Sequence, residues 1–254
     1  SPMKAAFVIA GREFKTLFLS PLAWTILGVI QIILGYMFLA QLDYFLIVQS
    51  RIAGMESAPG VTDLLVAPLY GNAGVILLLV TPLVTMRLVS EERKNRTLSL
   101  LFTAPLSMTE IILGKYLGVM AFLMLMVVLL GLMPLSLLMG GSLDFGRLLS
   151  CTLGLSLLLA GFAALGLFMS TLTSQPTVAA VSSFGALLLL WIIDWSGHAG
   201  GASNHILEQL SILRHYEGLL KGLVGSQDLI YFLLFITTFL VLSVNRLDND
   251  RLQS

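Results

Sequence analysis

The stretch 90–115, SEERKNRTLSLLFTAPLSMTEIILGK, lies between two long apolar runs and gathers side chains that are capable of ionic chemistry. Its charged members are Glu91, Glu92, Arg93, Lys94, Arg96, Glu110 and Lys115. Apolar residues lie among these charges, including Leu98, Leu100, Leu101 and Phe102. Exposed apolar groups rimmed by charge are typical of a docking surface, and mixed signs favour a partner selected by electrostatic complementarity. A solvated turn between two helices is the alternative interpretation.

Pro105 divides this charged stretch into two parts. The first part, MRLVSEERKNRTLSLL, is predicted to continue the preceding apolar helix until the proline ends it. The second part, SMTEIILGK, has Ser107 in the position of an N-cap and Glu110 three residues later, which is a capping box. The sequence therefore predicts a helix, a sharp corner and a second helix.

Motifs for nucleotide binding and nucleophilic catalysis are missing from the sequence. The pair Gly114-Lys115 is followed by Tyr116, and Thr109 occupies the position where a P-loop requires its first glycine. The chain also lacks a G-x-S-x-G nucleophile elbow. We therefore expect no enzymatic activity and no cofactor on this chain.

Metal sites, disulfides and nucleic-acid binding are not indicated either. The spacing of His198, His205 and His215 matches no zinc motif, and we expect all three to lie at a membrane interface. Cys151 is the single cysteine, so an intrachain disulfide cannot form. The 14 basic and 14 acidic side chains give zero net charge, which does not favour a nucleic-acid partner.

The elements that must hold the charged stretch are predicted to be membrane-spanning helices. Hydrophobic residues make up 57% of the chain and charged residues 11%, whereas soluble domains are about 25% charged. Apolar runs of about twenty residues are long enough to cross a bilayer as helices. We predict a single all-α membrane domain over 1–254 with six spans at about 21–41, 72–88, 111–138, 149–170, 175–195 and 228–244.

The N-terminal segment 3–20 is predicted to be an amphipathic elbow helix on the membrane surface before Pro21 turns the chain inward. Its apolar side carries Phe7, Ala10, Phe14, Leu17 and Phe18, whereas Lys4, Arg12, Glu13 and Lys15 take the other side. A frayed start of the first span is the alternative. The charges in the segment would interrupt a signal peptide, and Ser1 and Pro2 are interpreted as an extension before a natural Met3.

The distribution of basic residues predicts that both termini face the cytoplasm. In that orientation ten of the 14 basic residues lie inside, and only Arg51, Arg147, Arg214 and Lys221 lie outside. Residues 88–112 then form the one sizeable cytoplasmic loop.

Two longer segments fall on the extracytoplasmic side. Residues 42–71 have no strong period, so we expect a loop with short helical pieces. In 198–227, Ile206, Leu210, Leu213, Leu220 and Leu223 share one helical face, and glycines at 218, 222 and 225 provide breaks. This segment is interpreted as a half-inserted, re-entrant helix pair or as an amphipathic surface helix.

Polar residues within the predicted spans are few. Such groups are costly in lipid unless they face protein or a cavity, and they serve either as contacts between helices or as the lining of a substrate path. The candidates for a substrate path are Gln31, Tyr36, Thr81, Thr85, Ser182 and Ser183.

Four blocks of the sequence resemble the permease subunit of type-2 ABC transporters, and in particular the gliding-motility-type permeases. They are REFKTLFLSPLAW at 12–24, VTPLVTMRLVSEERKNRTLSLLFTAPLSMTEIILGK at 80–115, the fourth and fifth spans, and HYEGLLKGLVGSQDLIYFLL at 215–234. The second block matches the family pattern at Thr85, Met86, Arg87, Ser90, Glu91, Glu92, Thr97, Leu100, Leu101, Thr103, Pro105, Gly114 and Lys115. It departs from the pattern at Arg96, where the family usually has glycine, and at Ser99, where glutamate is frequent.

This resemblance implies a permease of an ATP-driven exporter in the bacterial inner membrane. The loop 88–112 would carry a coupling helix that sits in a separate cytoplasmic ATPase subunit, which binds the ATP and magnesium. Two permease chains, identical or different, and two ATPase subunits would form the exporter, with room for an extracytoplasmic accessory subunit. The expected contacts with the ATPase are Glu91, Glu92, Arg93, Arg96, Thr97, Leu100, Leu101 and Glu110.

Other functions also fit a membrane bundle with a charged loop. A membrane scaffold or assembly factor would use the same loop to anchor a cytoplasmic protein without transport. An intramembrane enzyme is disfavoured because His, Asp and Cys are not clustered, and a channel is disfavoured because no ring-forming filter motif is visible. The sequence does not identify the transported substrate.

Overall fold

A computed structural model describes residues 2–195 and 205–253. These described parts contain helices and connecting turns and no β-strand. The helices are α1 (Pro2–Leu19), α2 (Pro21–Ile52), α3 (Ala67–Thr85), α4 (Ser90–Lys94), α5 (Leu98–Thr103), α6 (Met108–Leu135), α7 (Phe145–Leu172), α8 (Pro176–Ile192), α9 (His205–Leu210), α10 (Ile212–Leu220) and α11 (Ser226–Gln253). A π-helical turn, Thr62–Val66, precedes α3, and a 3₁₀ turn, Ser136–Met139, follows α6.

Five helical stretches are long and apolar enough to cross a membrane, judged by length and composition. They are Pro21–Ile52, Thr62–Lys94, Met108–Met139, Phe145–Leu172 and Ser226–Gln253. The remaining predicted span, 175–195, coincides with α8, an apolar helix of 17 residues. The all-α class is confirmed for the described parts, and the chain is a multi-pass membrane protein.

Side-chain caps explain where several helices begin. The Ser20 hydroxyl accepts a hydrogen bond from the backbone N–H of Leu22 at 3.3 Å, just before Pro21 opens α2. Ser107 caps α6 in the same way by accepting from the N–H of Glu110 at 3.2 Å. The predicted N-cap at Ser107 is confirmed.

The prediction of a mainly irregular segment over 42–71 is wrong. Helix α2 continues to Ile52, and α3 with its π-helical turn begins at Thr62, so only 53–61 lies outside regular structure. The reason is local, because the sequence between Gly35 and Gly54 contains no glycine or proline that would end α2. Aliphatic and aromatic residues in 42–52 maintain the helix beyond the length that a bilayer requires.

Helix α7 forms the centre of the bundle and packs against α3, α6, α8, α10 and α11. Small residues allow this close packing. A Cβ atom added at Gly154 would lie 2.9 Å from the Cβ of Leu219, and one added at Gly166 would overlap the side chain of Thr85. These contacts bring α10 and α3 directly against the α7 backbone.

The contact of α10 with the other helices differs from the predicted apolar face. Ile206, Leu210 and Leu223 are exposed, whereas Ile212, His215, Tyr216 and Leu219 are buried. The prediction failed because it followed leucine spacing through what are two helices, separated at Ser211. Gly222, with a φ of +80°, lies just past the end of α10, as expected for a helix break.

Polar side chains hold α10 within the bundle. The Tyr216 hydroxyl donates to the carbonyl oxygen of Tyr70 at 2.5 Å. Ser150 of α7 donates to the carbonyl of Leu219 at 2.6 Å, so it satisfies one of the last carbonyls of α10. These bonds fix α10 to α3 and α7 at the end of the bundle where α3 begins.

The location of the histidines at a membrane interface stays a prediction, and His198 lies outside the described residues, but the structure shows the contacts of His215. The imidazole is buried, with Nδ1 2.7 Å from Oδ1 of Asp228 and Nε2 3.0 Å from the carbonyl oxygen of Gln209. Its ring also stacks on Tyr231 with a centroid distance of 4.0 Å. His215 therefore connects α9, α10 and α11.

Candidate functional site

The charged stretch between α3 and α6 is more broken than a helix, a corner and a second helix. The chain leaves helical geometry at 86–89, again at 95–97 and a third time at 104–107. The two short helices α4 and α5 lie between these breaks, and α5 ends two residues before Pro105. The prediction that the second span continues unbroken to Leu101 is therefore wrong.

The first break is held by Ser170 near the end of α7. Its hydroxyl oxygen accepts from the backbone N–H groups of Val89 and Ser90, both at 3.0 Å. The same hydroxyl donates to the carbonyl oxygen of Met86 at 2.9 Å. One buried side chain thus uses its donor and both lone pairs to replace the hydrogen bonds that the break removes.

The second break turns at Arg96, which has a φ of +57°. This is the left-handed region that glycine adopts without steric cost and other residues adopt with strain. Arg96 stands where the permeases that this sequence resembles usually have glycine. The backbone conformation explains why glycine suits this position.

The eight residues expected to contact an ATPase divide into outward and inward groups. Glu91, Arg96 and Thr97 are exposed, and the Leu100 side chain is 67% exposed. We call Glu91, Arg96, Thr97 and Leu100 the outer surface of the loop. The other four, Glu92, Arg93, Leu101 and Glu110, are partly buried.

Glu92 belongs to an ion cluster that joins three helices. Lys115 of α6 is 3% exposed, and its Nζ donates to Oε1 of Glu13 at 2.7 Å and to Oε1 of Glu92 at 2.9 Å. Glu13 lies on α1 and Glu92 on α4. We refer to Glu13, Glu92 and Lys115 as the ion cluster.

Arg93 makes the corresponding connection on the other side of α4. Its Nη2 atom donates to Oδ2 of Asp250 at 2.5 Å and to the carbonyl oxygen of Thr171 at 2.7 Å. Asp250 lies near the end of α11, and Thr171 lies near the end of α7. The short helix α4 is therefore bonded directly to α6, α7 and α11 through two adjacent side chains, and to α1 through Lys115.

Helix α1 packs tightly on α6 at the ion cluster. A Cβ atom added at Gly114 would lie 2.5 Å from the Cβ of Ile9, and one added at Gly118 would lie 2.6 Å from the Cβ of Glu13. The segment GKYLG is a G-x-x-x-G pattern, which places both glycines on one face of α6. This pattern is visible in the sequence and is the signal from which a close helix contact at Gly114 and Gly118 can be predicted.

These contacts bring α1, α4, α5 and the C-terminal turn of α11 together at one end of the bundle. We call this the loop end. The 3₁₀ turn after α6, the π-helical turn before α3 and helix α10 lie at the opposite end, where Arg147 forms an ion pair with Asp63 and donates from Nε to the carbonyl of Leu220.

The six candidates for a substrate path are not brought together around one cavity. Thr81, Thr85 and Ser183 are buried, and each hydroxyl donates to a carbonyl in its own helix. Ser182 also bonds within α8, whereas Tyr36 is exposed on α2. The sixth candidate, Gln31, is half-buried on α2. A role of these residues in transport stays a prediction.

Residues 48–197 match the model of a protein family described as ABC-2 family transporter protein. The match covers more than half of the 254 residues. The chain belongs to the ABC-2 transporter family. No curated protein matches the chain.

Membership makes this chain a permease component of an ABC transporter, a class of membrane subunit that is generally not catalytic and works with an ABC ATPase. The matched range contains α3 to α8, and with them the loop and Lys115. It leaves out α1, so Glu13 of the ion cluster lies outside the matched residues.

Proposed function

We propose that this ABC-2 permease forms the transmembrane path of an ATP-driven exporter and engages its ATPase through the outer surface of the loop. The loop end faces the cytoplasm, where two ATPase subunits bind ATP and magnesium. The working complex contains two permease chains in a bacterial inner membrane. The direction of transport and the gliding-motility-type branch rest on the sequence resemblance.

The observation that carries this proposal is the exposure of Leu100, Glu91, Arg96 and Thr97 within one short segment between α3 and α6. Leu100 lies outside the membrane-spanning helices, and its side chain is 67% exposed. Glu91 and Arg96 of the same segment are also exposed and carry opposite charges. An apolar centre with a charged rim is the arrangement expected of a protein interface.

Glu92 and Arg93 point inward, so we exclude them from the proposed contact with the ATPase. Both side chains are held by internal ion pairs, with Lys115 and Asp250 respectively. We therefore assign contact with the ATPase to the outer surface. Glu92 and Arg93 instead hold α4 against the longer helices.

The arrangement of the ends supports a six-span topology. With α8 as the fifth span, an even number of crossings returns both chain ends to one side of the membrane. This agrees with the ion pairs that join α1 and α11 to the loop at the loop end. We further propose that α1 is the interfacial elbow and that α9 and α10 form a re-entrant segment on the extracytoplasmic side.

The test of docking is the substitution Leu100→Glu. Because Leu100 is exposed, the change does not disturb the core, but it places a carboxylate at the centre of the proposed interface. A central apolar contact is worth about 2 kcal/mol, so we expect about thirtyfold weaker binding of the ATPase subunit that co-purifies with the wild-type chain. Binding is measured by titrating that subunit onto the detergent-purified permease.

The matched control is Met139→Glu, since Met139 is also exposed but lies at the opposite end of α6. It should bind the ATPase as the wild type does. Wild-type binding by Leu100→Glu would refute the docking surface. Binding without any permease-dependent change in ATP hydrolysis or transport would favour a membrane scaffold instead.

A further inference from the structure

We propose that Lys115 is the positioning residue that transmits movement of the loop to α1 and α6. This inference rests on the proposed function, because it concerns what happens after an ATPase has engaged the outer surface. Lys115 touches neither the ATPase nor the transported substrate in this proposal. It acts through Glu92 of α4 and Glu13 of α1.

The burial of Lys115 shows that its role is not that of a surface ion pair. At 3% exposure the ammonium group has lost nearly all contact with water, and only the two carboxylates compensate it. Buried ion pairs often stabilise a fold less than apolar residues of similar size would. What the ion cluster supplies is a defined geometry, because Lys115 is the common partner of both carboxylates and its removal breaks both ion pairs at once.

Close steric contacts hold α1 against α6 on either side of Lys115. Gly114 and Gly118 flank Lys115, and the backbone of α1 lies directly against them. In particular, a Cβ at Gly118 would lie 2.9 Å from the carbonyl oxygen of Ala10. Helix α1 therefore cannot approach α6 more closely, and a force on Glu92 reaches α1 and α6 together.

The opposite side of α4 is bonded to different helices. Arg93 holds α4 to the ends of α7 and α11 through Thr171 and Asp250. A displacement of α4 would therefore stretch the ion pair between Glu92 and Lys115 on one side and the Arg93 hydrogen bonds on the other. Adjacent residues of one short helix thus connect the α1–α6 pair with the α7–α11 pair.

A cavity beside the ion cluster provides room for such a displacement. It has a volume of about 200 Å³ and is lined by Glu13, Glu92 and Lys115 together with Arg12 and Arg87. Glu92 lines this cavity together with Arg12, a second cationic side chain that a displaced Glu92 would find nearby.

The test uses Lys115→Met and Glu92→Gln in the reconstituted permease–ATPase complex. Both variants remove the charge attraction between α4 and α6 and leave the outer surface intact. We expect the ATPase to bind as it does to the wild type, while permease-dependent stimulation of ATP hydrolysis falls about tenfold, within the usual range of coupling between sites. Lys4→Met is the control, because Lys4 is an exposed lysine on α1, and it should retain full stimulation.

Inverting the charges of the ion cluster distinguishes a loss of transmission from a general loss of structure. The triple variant Glu13→Lys, Glu92→Lys, Lys115→Glu reverses every sign in the ion cluster and keeps each pair attractive. It should recover stimulation that the single substitution Lys115→Glu loses. By contrast, Glu91→Gln on the outer surface should weaken ATPase binding. Wild-type stimulation by Lys115→Met or Glu92→Gln would overturn the proposal.

A second measurement needs no ATPase. Spin labels are placed on cysteines at Thr16 of α1 and Lys94 of α4, both exposed, while the native Cys151 is buried. The Lys115→Met variant should give a broader and longer distance distribution than the wild type, and an identical distribution would overturn the proposal. If the wild-type chain binds no ATPase, the proposed function fails, and this distance still decides whether Lys115 holds α1 to α4.

Discussion

Single side chains determine how the loop leaves the bundle. Ser170 replaces the hydrogen bonds lost at 86–89, and Arg96 turns the chain between α4 and α5. Neither residue belongs to a membrane-facing surface. Ser170 is buried and acts only on the backbone, so its substitution should change the order of the loop and leave the side chains of the outer surface in place.

The substitution Arg96→Gly should stabilise the protein. Glycine adopts a φ of +57° without steric cost, so we expect a gain of up to about 1 kcal/mol in the free energy of unfolding. The measurement is thermal unfolding in detergent. The adjacent control, Asn95→Gly, replaces a residue with a φ of −82° and should give no gain, and equal gains at both positions would contradict the strain at Arg96.

Among single residues, the cap at Ser107 could be predicted from the sequence, but the different roles of Glu91 and Glu92 could not. The cap at Ser107 could be predicted because its signal is local, a serine three residues before Glu110. Glu91 and Glu92 could not be assigned different roles, because adjacent carboxylates look alike in a sequence. The distinction arises from Lys115, which is 23 residues away from Glu92 and becomes its neighbour only when α4 folds back onto α6.

At the scale of elements, the contact between α1 and α6 depends on glycine. The side chains of Ile9 and Glu13 lie against Gly114 and Gly118, so α1 approaches α6 more closely than larger residues at these two positions would permit. Aromatic rings secure the end of α1, where Trp24 donates from Nε1 to the carbonyl of Phe18 at 2.8 Å. Helix α1 is thus attached along its length.

Gly118→Ala should therefore separate α1 from α6. The added methyl group would lie 2.6 Å from the Cβ of Glu13, and the cost of overpacking is about 1–3 kcal/mol. The expected result is a lower thermal unfolding temperature. Gly28→Ala is the matched control, because its methyl group would meet nothing within 4 Å, and it should leave that temperature unchanged or raise it. A similar response of both variants would disprove the tight contact.

Among the elements, the long apolar helices were predictable because hydrophobic length is a strong signal. The end of α2 was not, because 42–52 contains no residue that stops a helix once it leaves the membrane. The packed face of α10 was also missed. Four other helices surround it, so a histidine and a tyrosine are buried there in place of the expected leucines.

At the scale of the whole molecule, both ends of the chain meet the loop. Asp250 near the C-terminus forms an ion pair with Arg93 of α4. Glu13 near the N-terminus pairs with Lys115 of α6, which also pairs with Glu92 of α4. The loop end is therefore assembled from the most distant parts of the sequence. A change at either terminus is expected to reach the outer surface of the loop.

Labelling of single cysteines tests this topology. Cysteines replacing Lys4 and Leu252 should react with a membrane-impermeant maleimide from one side of sealed vesicles, and a cysteine replacing Met139 should react from the other. All three positions are exposed, and the native Cys151 is buried. Labelling of Lys4→Cys and Leu252→Cys from opposite sides would mean an odd number of crossings, with α8 not spanning the membrane.

The length of α2 gives this bundle a lever arm. Its 32 residues extend about 48 Å at 1.5 Å per residue, well beyond the hydrocarbon core of about 30 Å. Even inclined by about 40°, the upper end of the usual range, it would rise about 37 Å. With the turn at Ser20 as fulcrum, a swing of only 10° would carry the far tip of a rod of that length about 8 Å. Small angular changes near the loop end would thus be magnified at the distant surface.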